Sequence, residues 1–304
     1  MHNQLSDLQR EIIRLKEEKD ALILAHYYQT LDVQDVADLV GDSFEMAKRA
    51  KEAEASVIVL CGVLFMAESA KLLSPDKTVL LPAPDAGCPM ADMIVPEDVL
   101  ALKKQHPNAL VMCYVNSSAA VKAVSDVCCT SSSAVRIAKK LDTEEIIFIP
   151  DRNLGRYVAQ QVPEKRFHFF QGFCPIHDRV TAAQAKKAKE LRPQALFAAH
   201  PECREEVLEV ADFIGSTSQI IDFARKTPAQ EVLIGTEVGV LELLRRELPE
   251  KKILSLSSSF VCPNMKKTDL RDVYHALEAG VHEIILDGEE AAPARKSLDR
   301  MIAL

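Results

Sequence analysis

The stretch "GCPMAD", residues 87–92, sets a proline directly after Cys88. The chain repeats that dipeptide twice more, as "FCPIHD" at Cys174-Pro175 and "VCPNMK" at Cys262-Pro263. Eight cysteines and fifteen prolines scattered over 304 residues would meet in this order roughly 0.4 times by chance. The three pairs stand 86 and 88 residues apart, and a step so nearly constant reads as one unit copied three times.

Segments far from the cysteines keep the same step. "LILAHYYQ" (22–29), shifted by 88, meets "LVMCYVNS" (110–117), and a further 86 reaches "LFAAHPEC" (196–203). Each is an apolar run ending in polar residues, the pattern of a buried parallel strand whose carboxyl end reaches a site. His26, Tyr114 and His200 fall in register, as do Tyr28, Asn116 and Glu202. "LVGDSFEMAKRA", "DVCCTSSSAVRIA" and "DFIGSTSQIIDFA" follow, aligning Ser43, Ser131 and Thr217. These read as hydroxyl-rich turns that cap a helix. Three more apolar strands, "SVIVLCG", "EIIFIPD" and "EVLIGTE", run into helices, and "TVLLPAP", "RFHFFQG" and "ILSLSSS" lead to the three Cys-Pro pairs.

The unit is therefore strand–helix–strand–helix–strand–Cys-Pro–helix, with right-handed parallel connections. The fold class expected is α/β: three pseudo-threefold-related three-layer α/β/α domains with parallel sheets around a centre. The divisions fall at 1–87 (completed by 265–304), 88–173 and 174–264. The amphipathic "LSDLQREIIRLKEEKD" supplies a helix ahead of the first strand, and "VHEIILDGEE" (281–290) resembles one more first strand.

Composition narrows the function. Hydrophobic residues make up 48% and charged residues 27%, with a net charge of −8 and a pI near 5.6. That balance speaks against nucleic acid or a membrane surface as the main partner, and no apolar run reaches membrane-spanning length. Without a secretory h-region, eight cysteines read as reduced intracellular thiols in a cytoplasmic protein. Neither a P-loop nor a G-x-G-x-x-G pattern is present, so no nucleotide cofactor is expected.

Functional groups in parallel α/β domains lie at the carboxyl ends of strands. Three domains around one axis would bring Cys88, Cys174 and Cys262 together there, each turn pinned by its proline. Three thiolates without a fourth suit a [4Fe-4S] cluster with one open iron, or a catalytic zinc with an open position. Hydroxyl-capped helix ends aimed at the same axis would hold an anionic substrate. His26, Tyr28, Tyr114, Asn116, His200 and Glu202 bring mostly proton-transferring groups beside the metal. Cys61 and Cys113 read as core. Cys128, Cys129, Cys203 and His177 are open between structural and functional readings.

Taken in order, "AHYYQ", "GDSFEMAK", "GCPMADM", "YVNSSAAVKA", "CTSSSAV", "PDRNLGRYVA", "HPECREEV", "STSQII", "GTEVG" and "CPNMKKT" resemble the quinolinate synthase family of NAD biosynthesis over about residues 20–290. The resemblance implies a central [4Fe-4S] cluster held by Cys88, Cys174 and Cys262, its open iron acting as a Lewis acid. It implies condensation of iminoaspartate with dihydroxyacetone phosphate to quinolinate, with loss of phosphate and water. Substrate contacts would fall on His26, Ser43, Tyr114, Asn116, Ser131, His200, Glu202 and Thr217. Tyr28 and Glu202 would be the principal acid/base residues, with His26 and His200 beside them. An aspartate oxidase or aspartate dehydrogenase would be the functional partner that supplies iminoaspartate. The C-x-x-C-x-x-C run of some relatives is absent, since Leu256 and Ser259 precede Cys262, so no disulfide switch is expected there.

Overall fold

The computed structural model describes residues 5–304 apart from 287. Three four-stranded parallel sheets carry the chain. The first is built from β1 (Ala21–His26), β2 (Leu39–Gly41), β3 (Val57–Cys61) and β4 (Thr78–Leu80), in the order β2-β1-β3-β4. The second uses β5 (Leu110–Tyr114), β6 (Val127–Cys129), β7 (Glu145–Ile149) and β8 (Arg166–Phe169), ordered β6-β5-β7-β8. The third repeats this with β9 (Leu196–Ala199), β10 (Phe213–Ile214), β11 (Glu231–Gly235) and β12 (Lys252–Ser255), ordered β10-β9-β11-β12. The expected α/β class with three parallel sheets is the fold observed.

Alternation along the strands gives each sheet two covered faces. In the first sheet Ile23, Ala25, Val59 and Cys61 pack with Ile12, Leu15, Val273 and Leu277, from helices 7–18 and 270–279. Leu22, Leu24, Ile58 and Leu60 face the other way, into a core continuous through all three units. Helix 7–18 starts where Ser6 and Gln9 form a reciprocal capping box, the signal that the N-terminal sequence carries.

One interaction recurs three times and fixes register. The Asp38 carboxylate accepts the Ile23 amide at 2.8 Å, Asp126 the Val111 amide at 2.7 Å, and Asp212 the Phe197 amide at 2.7 Å. The amide of each aspartate donates back to the carbonyl of the same partner residue. A lysine from the preceding helix completes each staple: Lys16, Lys103 and Lys189, at 2.7, 3.4 and 2.6 Å.

Two expectations need correction. Each unit has four strands rather than three, because two or three residues ahead of every hydroxyl turn pair with the central strand as β2, β6 or β10. Segments so short show no alternation to read. Segment 281–290 is not a parallel first strand. Gly280 and His282, both at positive φ, turn the chain so that Glu283 bridges Leu80 antiparallel and the Ile284 amide reaches the Val79 carbonyl at 2.8 Å. A parallel partner would need a long crossover, whereas here the chain simply doubles back along β4; Asp287 lies outside the described residues. Beyond it, helix 291–303 packs on β6 and on helices 64–73 and 119–123.

Replacing Asp126 with Ala should lower unfolding free energy by about 2 kcal/mol, the scale of a lost hydrogen bond to a charged group. Asp126→Asn, which keeps one acceptor, should lose less. Urea midpoints of the two variants check this.

Candidate active site

The three central strands β1, β5 and β9 end at one cavity of about 190 Å³. All twelve residues singled out from the sequence line it: His26, Tyr28, Ser43, Cys88, Tyr114, Asn116, Ser131, Cys174, His200, Glu202, Thr217 and Cys262. Val63, Phe65, Met66, Met90, Ile176 and Met265 complete its apolar wall, and Arg179 stands exposed at the rim.

Local backbone geometry sets the two strand-end histidines. The Tyr28 amide donates to His26 Nδ1 at 3.1 Å, and two sheets away the Glu202 amide donates to His200 Nδ1 at 3.3 Å. Each Nδ1 is thus an acceptor, so each neutral ring carries its hydrogen on Nε2. His200 Nε2 lies 3.3 Å from Ser131 Oγ. Burial drives both imidazoles down to about 3, helped at His26 by the Lys266 ammonium and opposed at His200 by Glu202. They are uncharged donors at neutral pH.

Tyr28, Thr236, His177 and Glu202 form one hydrogen-bonded chain. Tyr28 OH lies 2.9 Å from Thr236 Oγ1 and 3.1 Å from Thr217 Oγ1. Thr236 Oγ1 is 3.0 Å from His177 Nε2, and His177 Nδ1 is 2.8 Å from Glu202 Oε2 and 3.2 Å from Cys174 Sγ. Burial would raise the Glu202 carboxyl, but the facing His200 and His177 outweigh it and hold it below the usual carboxylate range. Burial and the Glu202 charge push Tyr28 well above an ordinary phenol. The proton affinities at the two ends of the chain are thus driven apart. Glu202 Oε1 and Asn116 Oδ1 are buried without a hydrogen-bond partner among the described residues.

The hydroxyl turns differ from expectation in detail. Ser43 and Thr217 are the first residues of helices 43–51 and 217–226, while Asp42 and Ser216 do the capping. In the second unit the helix starts at Ala134, and Ser131 sits in the preceding turn, tightened by Thr130 bonding to Ser132 and Ser133. Thr130 offers no side-chain cap three residues before a glutamate or glutamine, which is what starts the other two helices earlier. Ser218 Oγ reaches Asp42 Oδ2 at 2.7 Å, tying the first and third turns together.

Each cysteine of the three Cys-Pro pairs sits before a short helical turn: 91–93, 175–178 and 264–266. Pro175 opens the second turn, at the position whose amide would be unpaired anyway, while Pro263 is the N-cap of the third and Pro89 lies just ahead of the first. Burial pushes the Cys88 thiol up to about 12, while the Ala91 and Met90 amides pull toward the thiolate; Met265 and Asn264 act likewise on Cys262, and His177 on Cys174. The three sulfurs do not share a single-ion geometry. Among the described residues only His106–Glu145–His168 and Cys174–His177–Glu202 have ligand atoms within 4.8 Å of one another. Three thiolates on one tetrahedral zinc would lie about 3.8 Å apart. A wider spacing of soft sulfur ligands around one space fits a polynuclear iron–sulfur group.

The family described as "Quinolinate synthetase A protein" matches residues 10–303. The quinolinate synthase of Alkaliphilus metalliredigens is 51% identical over 294 residues, covering 97% of each chain. That of Geobacter metallireducens is 50% identical over 301 residues, 99% of each, and that of Methanoregula boonei 50% over 297 residues, 98% of each. The chain belongs to the quinolinate synthase family. The family is one of iron–sulfur enzymes of NAD biosynthesis, and the sequence resemblance stands. No helix among the described residues is long and apolar enough to cross a membrane.

Two residues of this site escaped the sequence reading. His177, left open there, is buried at the centre of the chain from Tyr28 to Glu202. Thr236 gave no signal, because its register partners are Gly62 and Pro150. Cys61, Cys113, Cys128, Cys129 and Cys203 are buried and none lines the cavity.

A histidine kept neutral by burial must take up a proton when the chain unfolds in acid. The stability tied to His26 is therefore complete above about pH 6.5 and is lost as pH falls from there toward 3. Between those limits unfolding free energy should fall less steeply for His26→Gln than for the parent, by up to about 1.4 kcal/mol per pH unit. Equal slopes in urea titrations would mean the imidazole is already charged in the fold.

Proposed function

We propose that this cavity condenses iminoaspartate with dihydroxyacetone phosphate to quinolinate, phosphate and two waters, around a [4Fe-4S] cluster on Cys88, Cys174 and Cys262. The observation that carries the reading is the union, in one cavity, of three thiols with Tyr28, His177 and Glu202, which Thr236 links from behind the wall. When bound, such a cluster supplies an iron without a protein thiolate, a Lewis acid for a departing hydroxyl.

The protein groups divide the remaining work. His26 and His200 offer Nε2–H donors to carboxylates of iminoaspartate without adding charge. The first turns of helices 43–51 and 217–226, with Ser43, Thr217 and the Ser131 hydroxyl, suit the phosphate ester through free amides and the positive helix ends. Asn116 Oδ1 is an acceptor for the imine or enamine N–H.

Proton transfer follows from the order of donors. With Glu202 ionised, His177 Nδ1–H donates to it, so His177 Nε2 is an acceptor for the Thr236 hydroxyl. Thr236 in turn accepts from Tyr28. Moving one proton along each of the first two links, Tyr28 to Thr236 and Thr236 to His177, leaves Tyr28 as phenolate and His177 as imidazolium beside the Glu202 carboxylate. Tyr28 can then take a proton from a substrate carbon and return it to a leaving hydroxyl, the two kinds of transfer that phosphate loss and dehydration need. The division of the chain into units at 1–87 with 265–304, 88–173 and 174–264 belongs to the same reading, as does supply of iminoaspartate by an aspartate oxidase or dehydrogenase.

Thr236→Val, nearly isosteric, should cut kcat about 10²-fold with little change in KM, while Thr236→Ser keeps most activity. Wild-type turnover in Thr236→Val would remove the relay. Cys88→Ser, Cys174→Ser and Cys262→Ser should each lose the iron and sulfide of anaerobically purified protein, and Cys61→Ser should keep them. Retention in Cys174→Ser would sink the ligand assignment.

A further inference from the structure

We propose that Asp151 and Glu237 are positioning residues that latch two of the three cysteine ligand turns, leaving the first turn unlatched; this rests on the iron–sulfur reading above. Val63, Asp151 and Glu237 occupy one register position, at the end of the third strand-to-helix crossing point of each unit. In all three units the next amide closes onto the carbonyl two residues before the cysteine: Leu64 to Ala86 at 2.8 Å, Arg152 to Gly172 at 2.9 Å, Val238 to Phe260 at 2.8 Å. That backbone link is common. The side-chain link is not.

Asp151 Oδ2 accepts the Cys174 amide at 3.1 Å while Oδ1 caps its helix at the Leu154 amide, 2.8 Å away. Glu237 does the same with one more methylene: Oε1 accepts the Cys262 amide at 3.2 Å, and Oε2 takes the Gly239 amide at 2.7 Å and Lys266 Nζ at 3.2 Å. Both side chains are fully buried. A buried carboxylate is expensive unless its oxygens are used, and each of these uses one oxygen on a ligand cysteine. Val63 has no side-chain acceptor to offer Cys88.

The chemistry of the latch is orientation. A carboxylate on the cysteine amide fixes the peptide plane that carries Cα–Cβ, and so the direction of the thiolate. Outer partners of this kind change metal retention without touching the metal. Asp151→Asn and Glu237→Gln keep size and shape, but an amide presents one acceptor where two amide donors converge. Asn also caps helices well, so Asp151→Asn should keep its helix start and lose the bond to Cys174.

The test uses full-length protein loaded with iron and sulfide under anaerobic conditions. Iron loss to an excess chelator should run about 10-fold faster, or more, in Asp151→Asn and Glu237→Gln than in the parent. Their apoproteins should melt close to parent apoprotein, and the electron paramagnetic resonance spectrum of the reduced cluster should change. Leu154→Ala, which hollows the same helix start without touching the link, should lose iron at the parent rate. Parent rates in both carboxamide variants overturn the latch, as does an equal acceleration in Leu154→Ala, which would reduce the effect to packing. Should either carboxamide variant fail to fold, the other decides alone. Parent protein that takes up no iron overturns the iron–sulfur reading and the latch together, whereas loaded parent with unaltered variants overturns the latch only.

Discussion

Each unit of the fold hangs on an aspartate that holds the second or third residue of a central strand by both of its polar faces. Asp38, Asp126 and Asp212 fix where β1, β5 and β9 begin relative to their short neighbours. A slip of one residue would turn every side chain of a strand to the opposite face. His26, Tyr114 and His200 each stand three residues beyond the stapled amide, about 10 Å along the strand. The geometry of the cavity is thus set at the far edge of each sheet, by a charge pair with a lysine of the preceding helix.

Equivalent backbone positions then carry unlike chemistry. The strand-end position holds histidine, tyrosine and histidine; two residues on it holds tyrosine, asparagine and glutamate. Where histidine comes first, the amide two residues later locks its tautomer, so the substitution of one residue type also fixes its protonated edge. The polar groups brought together are buried, and their proton affinities separate: burial drives Tyr28 up and the strand-end imidazoles down, while His200 and His177 hold Glu202 down against its own burial. A solvated site with the same residues would leave them closer together.

Much of this was legible because repetition turns weak signals into strong ones. A single hydroxyl turn or strand-end histidine carries little information, but three in register locate a face, and all twelve residues found that way line the cavity. What repetition could not find is what the units do not share. Thr236 replaces glycine and proline, so nothing recurs. Edge strands of two or three residues are too short to alternate. Segment 281–290 has the composition of a strand, but its direction is set by positive φ at Gly280 and His282, and histidine is not a residue from which a left-handed turn is read. Asp151 and Glu237 lay in register and acidic, yet Val63 in the first unit hid the pattern.

Helix 291–303 comes after all three sheets in the chain, yet Ala294, Leu298 and Met301 are wholly buried and its neighbours are β6 and helices 64–73 and 119–123. The seam between the first and second units is therefore closed by residues synthesised after the third. A nascent chain with the twelve strands described above made would still lack that wall, and Cys128, whose thiol meets Ser297 at 3.2 Å, would stand open to solvent until helix 291–303 docks. Order of synthesis and order of enclosure are in this way reversed for the middle of the molecule, which makes the second unit the last to become watertight.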